Sequence, residues 1–275
     1  MGPELHVVRN FWCKLGVVHT TMPMTARFFR FSWSFLGLVL LLAGCREEEK
    51  AIQLPLEFAL TWEGTAFAIG DQGLDDQGRP AQLERLECYL SAFALHDVDQ
   101  GWLDLDTVIR VNFEDNRPVA VLEWTGTGDM QVDGLRMGLG VPEDRNVDVD
   151  PAQYADPNHP LGFAGSAGMH WGWAAGYIFS VFDGRLLTDP TTLFSYHAGN
   201  DKVYRTAEWS WDEPLVFEAG GSISPMVLSL DAYRCLHGQD DVIDPEVDPQ
   251  SHTGNNLELA RRWVNLYAEA WTLTP

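Results

Sequence analysis

Two tryptophans at strand spacing, Trp171 and Trp173, stand beside His170 and Met169. Side chains two residues apart on a β-strand point to the same face. Met169, Trp171 and Trp173, together with Tyr177 if the strand continues, are therefore expected to line one side, with His170 on the other. Core packing is the common use of such tryptophans. Imidazole and thioether groups are also metal donors, which makes this segment a candidate metal site.

Other histidines add candidate ligands around this segment. His197 precedes a glycine at the end of a strand-like run and ranks first, with a surface histidine at a strand end as the alternative. His159 precedes a proline, which favours an extended loop that can present a side chain, and ranks second. His170 ranks third. His237 and His252 flank an acidic stretch and are expected to face solvent.

Several short motifs accompany these residues in a fixed order. They are Gly140-Val141-Pro142 with Asn146, Pro160-Leu161, the segment from Met169 to Phe179, Asp183-Gly184, and His197-Ala198-Gly199. This order resembles the MbnP-like copper-binding family, which is associated with methanobactin clusters and is also described as one half of a metallo-mystery pair. The resemblance extends weakly from about Leu56 to Trp271.

The resemblance implies an extracytoplasmic copper-binding protein rather than an enzyme. Its partner would be a di-haem, cytochrome c peroxidase-like (MbnH-like) protein that oxidises a tryptophan of the binder to kynurenine, here Trp171 or Trp173. The kynurenine would join His197, His159 or His170 in holding Cu(I) or Cu(II), with Met169 as a thioether contact.

Two positions depart from the family pattern. Many members have histidines where this chain has Leu60 and Val147. A second interpretation therefore stays open, in which a metal-free structural or ligand-binding lipoprotein keeps the fold without the site.

The amino terminus indicates export. A short basic region and a short apolar run precede Leu-Ala-Gly and then Cys45, as in a bacterial lipoprotein signal. Residues 1–45 are interpreted as the signal, with 1–23 as an overextended start, and 46–53 as a tether. Cys45 would carry the lipid; the alternative is an ordinary signal with an incidental cysteine. Arg46 after the cysteine favours the outer membrane.

The chain is strongly acidic, with 18 basic and 40 acidic residues and a formal net charge of −22. Four of the basic residues and one acidic residue precede Arg46, which leaves 14 and 39 and a net charge of −25 for the mature part. Such a surface repels phosphates, so nucleic-acid binding is not expected. The charge favours cations or a basic partner. Neither a Gly-x-Ser-x-Gly nor a Walker motif occurs.

Residues 54–275 are expected to form one mainly β domain, an antiparallel β-sandwich with a carboxy-terminal amphipathic helix. Strand-like runs cover residues 54–58, 85–94, 107–113, 120–124, 134–140, 177–182, 215–217 and 226–230. Apolar residues recur at helical spacing in 256–271, with Asn256 or Thr253 as the cap.

Two of the four cysteines remain for a disulfide, because one lies in the overextended start (1–23) and Cys45 would carry the lipid. Cys88 and Cys235 would form one disulfide in an oxidising compartment, closing a loop of roughly 150 residues. Two buried free thiols are the alternative. No Cys-x-x-Cys is present, which excludes zinc-ribbon and c-type haem motifs.

Overall fold

The computed structural model describes residues 50–275 apart from 116, 127, 167, 173, 174 and 222. The predicted signal, Cys45, most of the tether and Trp173 lie outside these residues. The described residues belong to one compact unit that runs from Glu47 to Pro275. No helix within them is both long and apolar enough to cross a membrane.

The described part of the chain forms fifteen strands and one α-helix. In chain order they are β1 (Lys50–Trp62), β2 (Thr65–Ala66), β3 (Gln72–Leu74), β4 (Pro80–Asp97), β5 (Gly101–Asn112), β6 (Val119–Gly126), β7 (Met130–Leu139), β8 (His170–Gly172), β9 (Gly176–Tyr177), β10 (Ser180–Leu186), β11 (Thr192–Ala198), β12 (Arg205–Phe217), β13 (Met226–Asp231), β14 (Gln250–Ser251), α1 (Leu257–Glu269) and β15 (Trp271–Thr274). Each predicted strand overlaps an observed one. The mainly β prediction is confirmed.

Two sheets carry the fold. The first sheet has the order β15-β13-β1-β2, with β6 also paired to β1. The second sheet has the order β12-β7-β4-β10-β11-β14, with β3 and β5 also paired to β4. Aromatic contacts join the sheets: the rings of Trp124 on β6 and Phe217 on β12 lie 6.0 Å apart, and those of Phe113 and Trp271 lie 6.3 Å apart.

Most strand pairs are antiparallel, as expected for the sandwich, but two pairs are parallel, so the sheets are mixed. β1 runs parallel to β13, with Phe58 opposite Leu228, and β11 runs parallel to β14, with Ser195 opposite Gln250. Parallel neighbours need long connections. Strand periodicity is the same in both kinds of pairing, so the residue pattern could not reveal the direction.

Helix α1 confirms the predicted carboxy-terminal amphipathic helix and packs on the inner face of the second sheet. The side chain of Asn256 accepts a hydrogen bond from the backbone N–H of Leu259 at 3.1 Å, which caps the first turn. The indole of Trp263 stacks on Tyr196 of β11, with ring centroids 6.0 Å apart and planes inclined by 11°. On the solvent side, Arg262 pairs with Asp241.

The outer face of the second sheet is covered by residues 140–179, called here the covering segment. Tyr89 of β4 points to this face, and its hydroxyl donates to the carbonyl of Pro160 at 2.9 Å. The hydroxyl of Tyr177 donates to the carbonyl of Leu161. Both tyrosines are fully buried. The second sheet therefore lies between the rest of the core and this loop-rich layer.

Candidate metal centre

Three polar side chains lie together on the outer face of β10 and β11. Asp183 stands opposite Ser195 across the two strands, and His197 follows two residues later on the same face. The Oδ1 atom of Asp183 accepts a hydrogen bond from the Ser195 hydroxyl at 2.7 Å and lies 2.9 Å from Nε2 of His197. Strand alternation, together with the antiparallel pairing of β10 and β11, brings this carboxylate, hydroxyl and imidazole together.

His252 reaches the same place from another part of the chain. It follows β14, which pairs with β11, and its ring stacks on that of His197 with centroids 4.7 Å apart and planes inclined by 16°. The Ser195 hydroxyl lies 3.2 Å from Nε2 of His197 and 3.5 Å from Nε2 of His252. The two imidazole nitrogens therefore converge on one point.

The neighbouring Thr253 holds His252 close to His197. Its hydroxyl donates to the carbonyl of His197 at 3.0 Å and accepts from the backbone N–H of Gly199 at 3.1 Å. The His252 backbone N–H is bonded to the side-chain oxygen of Asn255 at 2.9 Å. His252, which the sequence placed in solvent, is exposed on its outer side yet belongs to the cluster. In the sequence, the only indication of a role for His252 was the polar pair that it forms with Thr253, shortly before the helix cap.

Electrostatics favour a neutral imidazole beside an ionised carboxylate. Burial acts to raise the pKa of Asp183, but hydrogen bonds from His197 and Ser195 outweigh it, so the pKa lies below its usual value. Burial, followed by the nearby His197, lowers the pKa of His252. At neutral pH His252 can therefore offer a ring-nitrogen lone pair while Asp183 is charged.

Trp171 lies beside this cluster. Its indole packs against Gly199, two residues after His197, where an added Cβ would come within 2.6 Å of the ring and 2.7 Å of the Tyr177 carbonyl. Only glycine leaves room for the tryptophan here. The Trp171 side chain is 38% exposed, so the indole is held in place and still reachable from solvent.

A buried asparagine positions the hairpin that carries Trp171. The Oδ1 of Asn146 accepts from the backbone N–H of Tyr177, and its Nδ2 donates to Asp201, both at 2.9 Å. An added Cβ on Gly176 would lie 2.2 Å from that Oδ1, and Gly176 has a φ of +74°. This contact gives a physical reason for the asparagine of the Gly140-Val141-Pro142 motif and for the glycine at 176 in the segment from Met169 to Phe179.

The tryptophan segment is not one continuous strand. β8 and β9 form a short hairpin with an irregularity between His170 and Gly172. As a result Met169 is fully buried whereas Trp171 is partly exposed, so the expectation that they line one face is wrong. The Met169 sulfur accepts a hydrogen bond from Arg85 at 3.8 Å, which makes it a structural contact.

The structure gives His170 a half-buried position against Tyr177, with ring centroids 4.7 Å apart. Its Nε2 is buried without a hydrogen-bond partner in the described part of the chain, and burial lowers its pKa.

His159 stacks on Tyr154 at 4.0 Å, and its Nδ1 accepts from the backbone N–H of Leu161. Burial lowers the pKa of His159 as well. The contacts of His159 lie within its own loop.

The two positions that depart from the family pattern lie in ordinary surroundings. Leu60 belongs to the hydrophobic core on β1, and Val147 directly follows the buried Asn146. Neither supplies a donor atom.

The predicted bond between Cys88 and Cys235 is not formed. Both residues are fully buried free thiols. Burial raises the pKa of Cys88 to about 12 and that of Cys235 well above its usual value. These thiols lie near the Tyr267 hydroxyl in the apolar core, where the reactive thiolate is disfavoured.

Within residues 50–275, leaving aside the six undescribed positions, no group of three histidine, cysteine or carboxylate side chains forms a ready-made metal site. The His197, His252 and Asp183 cluster still fits copper by donor chemistry, because imidazole nitrogen suits this metal. The fit has one condition. Nε2 of His197 is hydrogen-bonded to Asp183, so copper would take the place of the shared proton.

Comparison with known proteins bears on the family of the chain. No match was found among curated proteins. The solved structure of MbnP from Methylosinus trichosporium is similar at 17% sequence identity and a TM-score of 0.44, covering 70% of this chain and 80% of that one. The profile of the MbnP family matches residues 51–246. Because this profile covers more than half of the sequence, the chain belongs to the MbnP family, a family associated with methanobactin and copper.

Proposed function

We propose that this protein binds copper outside the cytoplasm, with His197 and His252 as the imidazole ligands and Asp183 and Ser195 beside them. The observation that carries the proposal is the convergence of both Nε2 atoms on the Ser195 hydroxyl, at 3.2 and 3.5 Å. Two imidazoles in one place suit either oxidation state of copper. The protein holds the metal for storage or delivery and performs no turnover of its own.

The third donor in this proposal comes from a tryptophan converted to kynurenine, Trp171 or Trp173. Kynurenine carries an aryl amine and a ketone, and so supplies a donor that indole lacks. Two equivalents of peroxide give N-formylkynurenine and two waters, and hydrolysis then releases formic acid. A di-haem, peroxidase-like partner would deliver the oxidising equivalents. The partial exposure of Trp171 beside Gly199 supports it as the first choice.

The test is mass spectrometry of the protein expressed with and without such a partner, together with metal analysis. Conversion to kynurenine adds one oxygen and removes one carbon from the peptide that holds Trp171 and Trp173. We expect this change and about one copper per chain only with the partner present. An unmodified peptide in a protein that carries no copper would reject the mechanism.

We also propose that the mature protein is a lipoprotein, anchored through Cys45 to the outer membrane. The support is the signal-like sequence, followed within a few residues by β1 at Lys50. Mass spectrometry of the mature amino terminus should find a lipid-modified Cys45. Cys45→Ala should release the protein from membranes, and an unmodified terminus upstream of Cys45 would refute the anchor.

The second candidate function is a metal-free lipoprotein that keeps the fold alone. It is favoured by the apolar residues Leu60 and Val147 and by the hydrogen bond that occupies His197. Metal analysis of protein from its native host separates the two. Stoichiometric copper supports the first candidate, and its absence beside an unmodified Trp171 supports the second.

A further inference from the structure

Apolar side chains are exposed together on the turn that joins β4 to β5. Val98 in the turn is 46% exposed, and Trp102 and Leu103 at the start of β5 are each 36% exposed. We call these three residues the tip cluster. Exposed apolar groups scattered singly need no explanation, but a group on one loop indicates an interaction surface.

The tip cluster is presented rigidly. The Arg136 guanidinium lies 4.6 Å from the centre of the Trp102 ring, and the ring of His96 meets it edge-on at 5.0 Å. His96 is in turn bonded to Asp133 at 2.6 Å. Trp102 is thus fixed on two sides while part of its indole remains in solvent.

The chain enters the domain beside this cluster. Lys50, the first residue of β1, pairs with Gly126 on β6, and Gly126 lines the same groove as Trp102 and Leu103. Cys45 precedes Lys50 by five residues, which span at most about 18 Å when fully extended. Whatever holds Cys45 must therefore lie near the tip cluster.

We propose that the tip cluster rests on the headgroup layer of a lipid bilayer, an inference that depends on the proposed lipid anchor at Cys45. Tryptophan suits the boundary between apolar and aqueous layers because its indole has an apolar body and a polar N–H. Val98 and Leu103 flank it as short apolar contacts. The anchor restricts the distance from the membrane, and the tip cluster sets the orientation.

The charges of this end favour zwitterionic headgroups over anionic ones. Asp97 is turned into its own loop, where it accepts hydrogen bonds from the N–H groups of Asp99 and Gln100. Asp99 and Asp129 remain exposed; Lys50 is exposed as well and the half-buried Arg136 lies against Trp102, but the chain as a whole is strongly acidic. An anionic bilayer would repel this surface.

The orientation has a geometric consequence for the candidate metal centre. His197 stands opposite Val181, which stands opposite Glu87 on β4, ten residues before Asp97 at the tip. At about 3.3 Å per residue, the centre lies roughly 33 Å along the strand from the bilayer. The copper ligands then face the aqueous compartment, within reach of a protein partner.

Fluorescence quenching by lipid tests the proposal. Protein that begins at Cys45 and lacks native lipid is coupled through this thiol to a maleimide lipid in phosphatidylcholine vesicles. Coupling is selective because Cys88 and Cys235 are fully buried. Lipids brominated near the headgroup should quench part of the tryptophan emission, and Trp102→Ser should lose most of that quenching.

Two further variants complete the test. Leu193→Ser removes a residue that is 63% exposed on β11, towards the opposite end of β4, and should leave the quenching unchanged. The double variant Val98→Asp with Leu103→Asp keeps Trp102 as the reporter and should reduce the quenching. Added phosphatidylglycerol should reduce it in the parent protein.

Quenching that is absent in the parent protein, or unchanged in both the Trp102→Ser and the double variant, would overturn the proposal. Stronger quenching with phosphatidylglycerol would overturn the choice of zwitterionic headgroups. The anchor is supplied chemically in this experiment. Its outcome is therefore independent of native lipidation, which mass spectrometry of the amino terminus decides separately.

Discussion

The indole of Trp171 occupies the space that a side chain on Gly199 would need, with an added Cβ only 2.6 Å from the ring. Gly199→Ala should therefore displace Trp171 from its place beside His197. We expect a lower yield of kynurenine in the presence of the oxidising partner, measured by peptide mass spectrometry. Gly128→Ala is the control, since an added Cβ there meets nothing within 4 Å. Full conversion in the Gly199 variant would count against Trp171 as the modified residue.

Because the imidazoles of His197 and His252 stack beside each other, we expect removal of either one to weaken copper binding. His197→Ala and His252→Ala should each weaken copper retention by more than about 100-fold, because even outer-shell partners of metal ligands are worth roughly 10–100-fold. Metal analysis after dialysis against a competing chelator measures this. His96→Ala, which alters a histidine on another part of the sheet, should retain copper. A His252 variant that binds as tightly as the parent would remove His252 from the site.

The buried Asn146 predicts a stability effect at the tryptophan hairpin. Asn146→Ala leaves the N–H of Tyr177 without its partner and should cost about 1–3 kcal/mol in the free energy of unfolding, measured by urea denaturation. Gly176→Ala should destabilise through collision with Asn146 as well as through its positive φ. Gly78→Ala isolates the second effect, because Gly78 has a φ of +75° and open space around it. Equal losses in the two glycine variants would contradict the collision.

Acid should weaken the contact between α1 and the loop before β14. The hydrogen bond from Arg262 lowers the pKa of Asp241 below its usual value in the folded state. The stabilisation that this ion pair gives the folded protein is complete above the pKa that Asp241 has in the unfolded chain. It is lost as the pH falls through the lower pKa that Asp241 has in the folded protein. Because both side chains are partly exposed, the loss should stay below about 1 kcal/mol. Urea unfolding at pH 7 and about pH 3 should show a smaller difference for Asp241→Asn than for the parent, whereas the exposed Asp240→Asn should behave as the parent does.

The two free thiols should resist modification in the folded protein. Cys88 and Cys235 are fully buried, and the raised pKa of Cys88, about 12, leaves almost no thiolate at pH 8. We expect both to react with a thiol reagent only after urea unfolding, as counted by mass spectrometry. Non-reducing peptide mapping that finds a Cys88–Cys235 crosslink in protein from its native compartment would show the opposite.

Local patterns account for what the sequence could predict. The helix at 256–271 follows from apolar residues at helical spacing and from Asn256, whose side chain caps the first turn. Strand positions follow from alternation, and Ser195 and His197 lie on one face of β11 for the same reason. These features depend on residues close together in the chain, so a single sequence contains them.

Long-range pairings account for what the sequence could not predict. His252 lies 55 positions from His197 and reaches it because β14 pairs with β11, which no local pattern indicates. The hairpin that contains the break between His170 and Gly172 packs against distant residues, with Trp171 against Gly199 and Gly176 against Asn146. Whether Cys88 and Cys235 stay free thiols likewise depends on how the core packs around them, where Tyr267 lies close to both.

The covering segment is tied to the second sheet by bonds that recognise peptide groups. Tyr89 of β4 and Arg110 of β5 donate to the backbone carbonyls of Pro160 and Gly165, and carbonyls are groups that every residue possesses. Exposed side chains between Pro142 and Gly168 can therefore be exchanged with little effect on how this layer packs, whereas the buried Asn146 and Leu161 cannot. The inner face of β4 has no such freedom, because Leu86, Leu90 and their neighbours must fit by shape. Substitutions in such a fold are therefore expected to be tolerated at exposed positions of the covering segment rather than on β10 and β11, which carry Asp183 and His197.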